Sequence, residues 1–529
     1  MRRLVIPWLL ALSAVLRLPA SAASPAGEVG EVAFANSGAP AAQEPFLRGL
    51  ALLHNFEYSD AAEQFRKAQA ADPGFAMAYW GEAMTFTHPV WMQQDADAAR
   101  AVLGRLGATA EARLAKAKTE REKDYLRAVE ILYGNGTKEE RDFLFADAMA
   151  ALHQRYPDDV EATAFYALSL LGTAHQGRDF AIYMRSAALL EEVFPTHQRH
   201  PGVLHYLIHS YDDPIHAPLG VRAARLYGAV APNAGHALHM TSHIFVALGL
   251  WDDVIAANER AMAVVNRQRA EQKKPPMTCG HYVSWLHYAL LQERRLGEAK
   301  GQLDACRQMA AGLVAQKTPG PEDGGRVEAY VQMRLFQGIE TGRWDAADAL
   351  ALPEGRYADA QFTQAYAEAL AASTGDADAF HAAAARLRER QREVLARLAG
   401  EKKANPASRQ YAEIVVRQID ALERLREGKK DEGIALLRQA ADEENGMALE
   451  FGPPVIEKPS FELLGEQLLA LGRTAEAEQA FEAGLARAPG RTQLLQGLLR
   501  AQQAQGHVAP AEQTRAQLQR YVRTAAGTR

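Results

Sequence analysis

The chain has 529 residues, enough for roughly two to four ordinary domains or for one long repeat array. Its formal net charge of −6 is mild for that length and argues against nucleic acid or an anionic membrane surface as partner. Alanine, leucine, glutamate and arginine dominate and alternating β-branched runs are scarce, a composition that favours helix almost throughout.

Residues 1–22 read as a secretory signal peptide. Arg2 and Arg3 form a positive start, an apolar run extends from Leu4 to Leu16, and Ala20-Ser21-Ala22 supplies a small-x-small cleavage pattern. The run is too short to span a bilayer, which takes roughly 20 apolar residues. No later run is long and apolar enough for a transmembrane helix. The expectation is a chain with no membrane span after signal cleavage, periplasmic or secreted.

Beyond the signal, small and large residues recur with the period of a helical repeat. Ala61, Phe65, Ala68 and Pro73 have the spacing of the second helix of a tetratricopeptide repeat (TPR), a unit of about 34 residues. Near the C-terminus, Phe461, Leu464, Gly465 and Leu468 match a first helix, and Ala477, Phe481 and Pro489 match its partner. The logic is close helix pairing: small residues let helices approach, and large ones fill the gaps. Repeats are expected to begin near residues 42, 76, 160, 201, 235, 280, 328, 414 and 458. A degenerate helix pair should run from Tyr357 to Arg390, and a terminal cap should follow Arg491. Loops are expected around Glu401 to Ser408 and from Glu450 to Pro459, which contains Gly452-Pro453-Pro454. The fold expected is an all-α superhelical solenoid of stacked antiparallel helix pairs. It divides into N-terminal repeats (40–135), histidine-rich repeats (136–320), and C-terminal repeats with a cap (321–529).

The two cysteines, Cys279 and Cys306, fall at the start of a first helix and late in its partner. Those places are neighbours in an antiparallel pair. They are read either as a disulfide, worth about 3 kcal/mol, or as two buried thiols.

Sixteen histidines occur, and ten lie between His197 and His287. His205 and His209 are spaced i, i+4; His236, His239 and His243 are spaced i, i+3, i+7; each set shares one helix face. In the repeat frame these five, with His281, lie on first-helix positions that line the concave groove of a TPR superhelix. Asp212, Asp213, His54 and His88 fall on such positions too. Imidazole is a common ligand for zinc, copper and iron. The expected metal position is among His205, His209, His239 and His243, with His236, His281 or an aspartate assisting. Asp212 or Asp213 would be a ligand or the acceptor that fixes a tautomer. Two other readings stand beside it: a protonatable groove for an anionic ligand, and a purely structural hydrogen-bond network. The charged run Glu120 to Asp124 reads as a solvated helix face. Tyr79, Trp80, Trp91, Trp251 and Trp285 read as repeat core, with Trp91 a candidate for the groove edge.

The segments AMAYWGEAMTFTHPVW, HPGVLHYLIHSYDDP and APNAGHALHMTSHIFVALGLWDD resemble a family of exported bacterial TPR proteins. The resemblance runs from about Phe46 to Gln292 and returns weakly at Pro459 to Gly465. Its most specific piece is a HAxHMxSHIF-type motif, His236 to Phe245, where the family usually has proline in place of Thr241. It implies export, the TPR fold, and histidine at positions 205, 209, 236, 239, 243 and 281. It implies no particular activity. Two functions follow: a groove that binds a peptide, protein or small ligand beside a divalent transition metal, or a metalloenzyme, hydrolase or oxidoreductase, built on the same histidines.

Overall fold

The computed structural model describes residues 28–318, 320, 323–401 and 406–521. The candidate signal peptide, residues 1–22, lies outside the described residues. Among those residues stand 24 α-helices, two short 3-10 turns and one ladder of two-residue strands, Thr87–His88 with Gln93–Gln94. The chain is therefore all-α. Successive helices are joined by short connections and pack on each other, which makes them antiparallel pairs stacked into a TPR-type superhelix.

First helices start at Pro40, Ala76, Val160, Pro201, Gly235, His281 and Ser460, beside the expected repeat starts, whereas those expected near 328 and 414 begin earlier, at Asp323 and Pro406. Helices Ala358–Ala372 and Ala377–Gly400 form the degenerate pair, and Thr492–Gln505 with Val508–Tyr521 follow Arg491. One pair was not framed by sequence, Glu120–Leu132 with Lys138–Arg155. Its charged start is only partly a solvated face. Glu122 is fully buried and accepts the Ser37 backbone N–H at 2.7 Å, besides closing a capping box with Thr119.

The spacing of small and large residues has a direct physical cause. A Cβ on Gly81 would lie 2.3 Å from the Phe65 ring, and one on Gly465 would lie 2.7 Å from Phe481. Each phenyl ring occupies the space that the glycine leaves on the neighbouring helix. Cys279 and Cys306 are joined by a disulfide with Cα atoms 4.4 Å apart, tying helix His281–Gln292 to helix Leu296–Val314.

Two features lie outside any repeat frame. The leading segment from residue 28 runs extended and buries Val29, Val32 and Phe34 against the early repeats. At the other end the superhelix turns back on itself. The Trp251 indole N–H donates to the Gly490 carbonyl at 3.0 Å, and the Thr492 hydroxyl donates to the Gln292 carbonyl at 2.8 Å. Arg491 is fully buried there, paired with Glu462 at 2.5 Å and Glu340 at 2.9 Å. The last repeats thus dock on the middle ones. The loop from Met447 to Pro459 is carried over the concave face.

Candidate metal centre

Three adjacent first helices, Pro201–Ser210, Gly235–Ala247 and His281–Gln292, bring the histidines to one wall. Close approach begins with Gly202, where a Cβ would sit 2.3 Å from His54 Nδ1, so only glycine lets this helix lie on the end of helix Pro40–His54. There the His54 carbonyl is one of the helix-terminal acceptors with no partner inside its own helix. It accepts from His205 Nδ1 at 2.6 Å. A carbonyl can only accept, so Nδ1 carries the proton and His205 Nε2 presents a bare lone pair.

That Nε2 atom is buried and has no hydrogen-bond partner; the same holds for the Nε2 atoms of His209 and His236. The ligand atoms of these three residues lie within 4.8 Å of one another. Burial holds all three imidazoles well below their ordinary pKa, so they are neutral, the state a metal ligand needs. Three dehydrated lone pairs facing one another are costly unless a cation lies between them.

The second group is His239, His243 and His281, again with ligand atoms within 4.8 Å of one another. Asn258 donates its amide to the Val254 carbonyl at 2.9 Å, so its oxygen faces His239 and accepts from Nδ1 at 2.7 Å. His243 Nδ1 donates to Asp212 at 2.5 Å. Both Nδ1 atoms are thereby protonated, and the two Nε2 atoms face each other at 3.2 Å. Two lone pairs at that distance repel unless a proton or a metal ion joins them. For a tetrahedral ion with bonds of about 2 Å, neighbouring ligand nitrogens stand about 3.3 Å apart.

The histidines thus divide differently from the sequence expectation. His205, His209, His239 and His243 do not surround one point. The i, i+4 pairs stay together, but His236 joins the first group and His281 the second. His236 lies beside the His205 ring at 5.1 Å, whereas the His281 ring approaches His239 at 4.6 Å from the next helix. The two triads are nevertheless adjacent, with ring centres 6.0 Å apart for His209 and His243 and 6.3 Å for His236 and His239.

Of the remaining candidates, Asp212 fits the role of tautomer-fixing acceptor; its second oxygen is buried and unpartnered. Asp213 does not face the triads. It is fully buried just past the helix end, held by Arg178 at 3.2 Å and by His216 at 2.9 Å. His54 is not a groove residue. Its ring is fully buried between Glu161 at 2.6 Å and the Tyr206 hydroxyl at 2.9 Å. Glu161 also accepts from His200 at 3.0 Å. His54, Glu161 and His200 have the geometry of a metal triad too. However, both nitrogens of each ring already have a partner, since His200 Nδ1 accepts the Val203 N–H. Although burial pushes the Glu161 carboxyl up, the two imidazoles hold it well below the usual carboxylate range. This is a satisfied support behind His205. His88 also stands apart. It stacks on Tyr58 at 4.0 Å beside a separate cavity of about 520 Å³, because the ladder at Thr87–His88 ends its helix early.

The walls of the centre are aromatic. Phe56 packs on His205, His209 and His236 at 4.3, 5.8 and 5.7 Å. It does so from a left-handed backbone, φ 57°, which is rare for a bulky residue and clusters at functional sites. Trp91, 39% exposed, edges the groove 5.9 Å from His236. Trp285 lies 4.8 Å from His239 and 4.5 Å from His243, and Phe451 covers His243 at 5.2 Å. Phe451 comes from the expected loop, which folds inward because Gly452, at φ +95°, passes where a Cβ would strike Trp285 at 2.3 Å. Outside lies a groove of about 1170 Å³ reached by His209, His236, His243 and His281. Glu57, also in the groove, accepts the His236 backbone N–H at 3.0 Å and starts that helix in place of a side-chain cap. Sequence reasoning missed Phe56, Glu57, Glu161, His200, Asn258 and Phe451. Only His200, preceding Pro201 as a helix cap, left a local signal.

No family model matches the sequence. No curated protein matches it either. Solved structures give low-identity likenesses. Human IFIT1, solved as a dimer with m7Gppp-AAAA, is 12% identical with a TM-score of 0.35, covering 94% of this chain and 92% of that one. The TPR domain of P58(IPK) is 14% identical with a TM-score of 0.20, covering 88% and 99%. Ypp1 is 9% identical with a TM-score of 0.32, covering 91% and 87%.

Proposed function

We propose that this chain is an exported metalloprotein that holds two transition-metal ions side by side on the inner wall of its superhelix, where they meet a ligand entering the groove. The observation that carries this reading is the trio of buried, unpartnered Nε2 atoms on His205, His209 and His236. A groove that only docks a peptide has no use for three dehydrated imidazole lone pairs turned toward one another. Zinc, copper and iron are the ions such a set would hold. Asp212, Asn258 and the His54 carbonyl would serve as the acceptors that orient the ligands. Export is supported by the pattern of residues 1–22 and by the Cys279–Cys306 bond, since disulfides persist in oxidising compartments. The ligand is a peptide, a protein segment or a small molecule that fits the groove.

A second reading, a metalloenzyme acting as hydrolase or oxidoreductase, is favoured by the ligand count. Three protein ligands per ion leave a coordination position open to water, oxygen or substrate. The test of the metal reading is elemental analysis of protein purified from its native compartment. Two ions per chain are expected in wild type and one in His239→Ala/His243→Ala. A protein that stays metal-free after replenishment with zinc, copper and iron would sink it.

A further inference from the structure

We propose that both triads hold copper, and that the copper pair passes two electrons to dioxygen. This rests on the metal reading above and goes beyond it in naming the ion and the substrate. The first argument is charge. Both ligand sets are made of histidine alone, six imidazoles with no carboxylate among them. Two divalent ions would bring four positive charges into a wall of Phe56, Trp91, Trp285 and Phe451. Asp212 is the carboxylate bonded to a ligand, and it already serves His243. Burying charge without compensation is expensive. Among zinc, copper and iron, copper has a stable monovalent state, and it is well served by imidazole.

The second argument is adjacency. Rings of the two triads stand 6.0 and 6.3 Å apart, so ions held in both would be neighbours on one wall, within reach of a single small molecule. Each Cu(I) would give one electron and become Cu(II). Dioxygen would accept both electrons, its double bond becoming a single bond; two water molecules would each give one proton to complete hydrogen peroxide, and the two hydroxide ions left would offset the charge added on the two ions.

The third argument is a second, smaller space. A cavity of about 80 Å³ lies under the loop from Met447 to Pro459, lined by Val246, Trp251, Phe451 and Pro453 and reaching Asp212. It is too small for an organic substrate. Its lining is mixed, with Glu450, Arg487 and Arg491 beside the apolar side chains, and its volume suits a molecule of the size of dioxygen. Dioxygen could therefore approach from one side while the groove remains open on the other.

The experiment is anaerobic titration of the full chain with Cu(I) in acetonitrile, followed by admission of air. Two copper ions per chain are expected, then uptake of one dioxygen and release of one hydrogen peroxide for every two copper ions oxidised. His236→Ala and His281→Ala each remove one ligand from a different triad. Each should bind one copper and lose the two-electron step, while circular dichroism reports an intact helical array. If zinc binds at two per chain but Cu(I) does not, or if the Cu(I) protein takes up no dioxygen, the proposal is overturned and the metal site stands. Unchanged peroxide yield per copper in both variants would overturn the pairing. Failure of zinc, iron and copper alike to bind would overturn the underlying metal reading instead.

Discussion

Each imidazole in the two triads has one nitrogen available to an ion, and in three of them a neighbour visibly decides which. His205 gives its Nδ1 proton to a helix-end carbonyl, His239 to an amide oxygen, and His243 to a carboxylate. The last is the strongest, since an ionised acceptor makes the ring a better donor to metal. Asp212→Asn keeps the shape but removes that charge. It should weaken metal binding at the second triad about 10- to 100-fold and leave the first triad unchanged, measured by competition with a chelator. Equal losses at both triads would mean that Asp212 acts through the fold. The same logic separates His54, Glu161 and His200 from the centre. Distance alone would make them a third site, but their nitrogens are already satisfied.

At the scale of elements, the triads depend on how first helices lie beside one another. Helix Gly235–Ala247 sits between helices Pro201–Ser210 and His281–Gln292 and contributes to both groups. The disulfide fixes the start of the third of these, next to His281. With a sequence separation of 27 between the cysteines, its removal should cost about 3 kcal/mol. Cys279→Ser/Cys306→Ser is therefore expected to lower the Tm in a scan of the metal-free protein. A larger effect on the second triad than on the first should appear in metal titration. An unchanged Tm would show that helix packing alone holds this pair.

For the whole molecule, the decisive feature is closure. Arg491 is buried between Glu340 and Glu462, with Tyr288 at 3.1 Å, where the last repeats meet the middle ones. Arg491→Met leaves Glu340 without its ion-pair partner and Glu462 with Lys458 alone, and should destabilise by about 3 kcal/mol, read in urea unfolding. It should also loosen the loop that carries Phe451. Stability should fall with acid in two stages. Burial pushes His287 down to about 4, so between pH 6.5 and 4 the unfolded chain takes up this proton first, and stability drops as pH drops. Burial would push Glu462 up, but Arg491 and Lys458 hold it down to about 2. Its contribution is present above its unfolded value of 4.5 and is lost as pH falls toward 2. Thermal scans of metal-free protein from pH 8 to 3 check both stages; a flat profile between pH 6.5 and 4 would contradict the first.

The repeat pattern was legible in the linear text because it is a local property. Gly465 and Phe481 must be small and large wherever two helices touch, and such spacing is written along the chain. The histidines that face the groove were legible for the same reason, since helix periodicity alone puts His205 with His209 and His239 with His243. What the sequence could not express is which rings share a point. That depends on distances between helices and on partners far along the chain: the His54 carbonyl that accepts from His205, and the Phe451 ring that packs on His243. Sequence by itself determined most of the helices and their pairing, and the histidine-bearing faces. Tertiary structure alone decided that the histidines form two triads instead of one set, that His54 and Asp213 turn away, and that the C-terminal repeats close over the groove. Helix formation is set by neighbours a few residues apart, whereas convergence of imidazole nitrogens is set by packing between segments with no local relation.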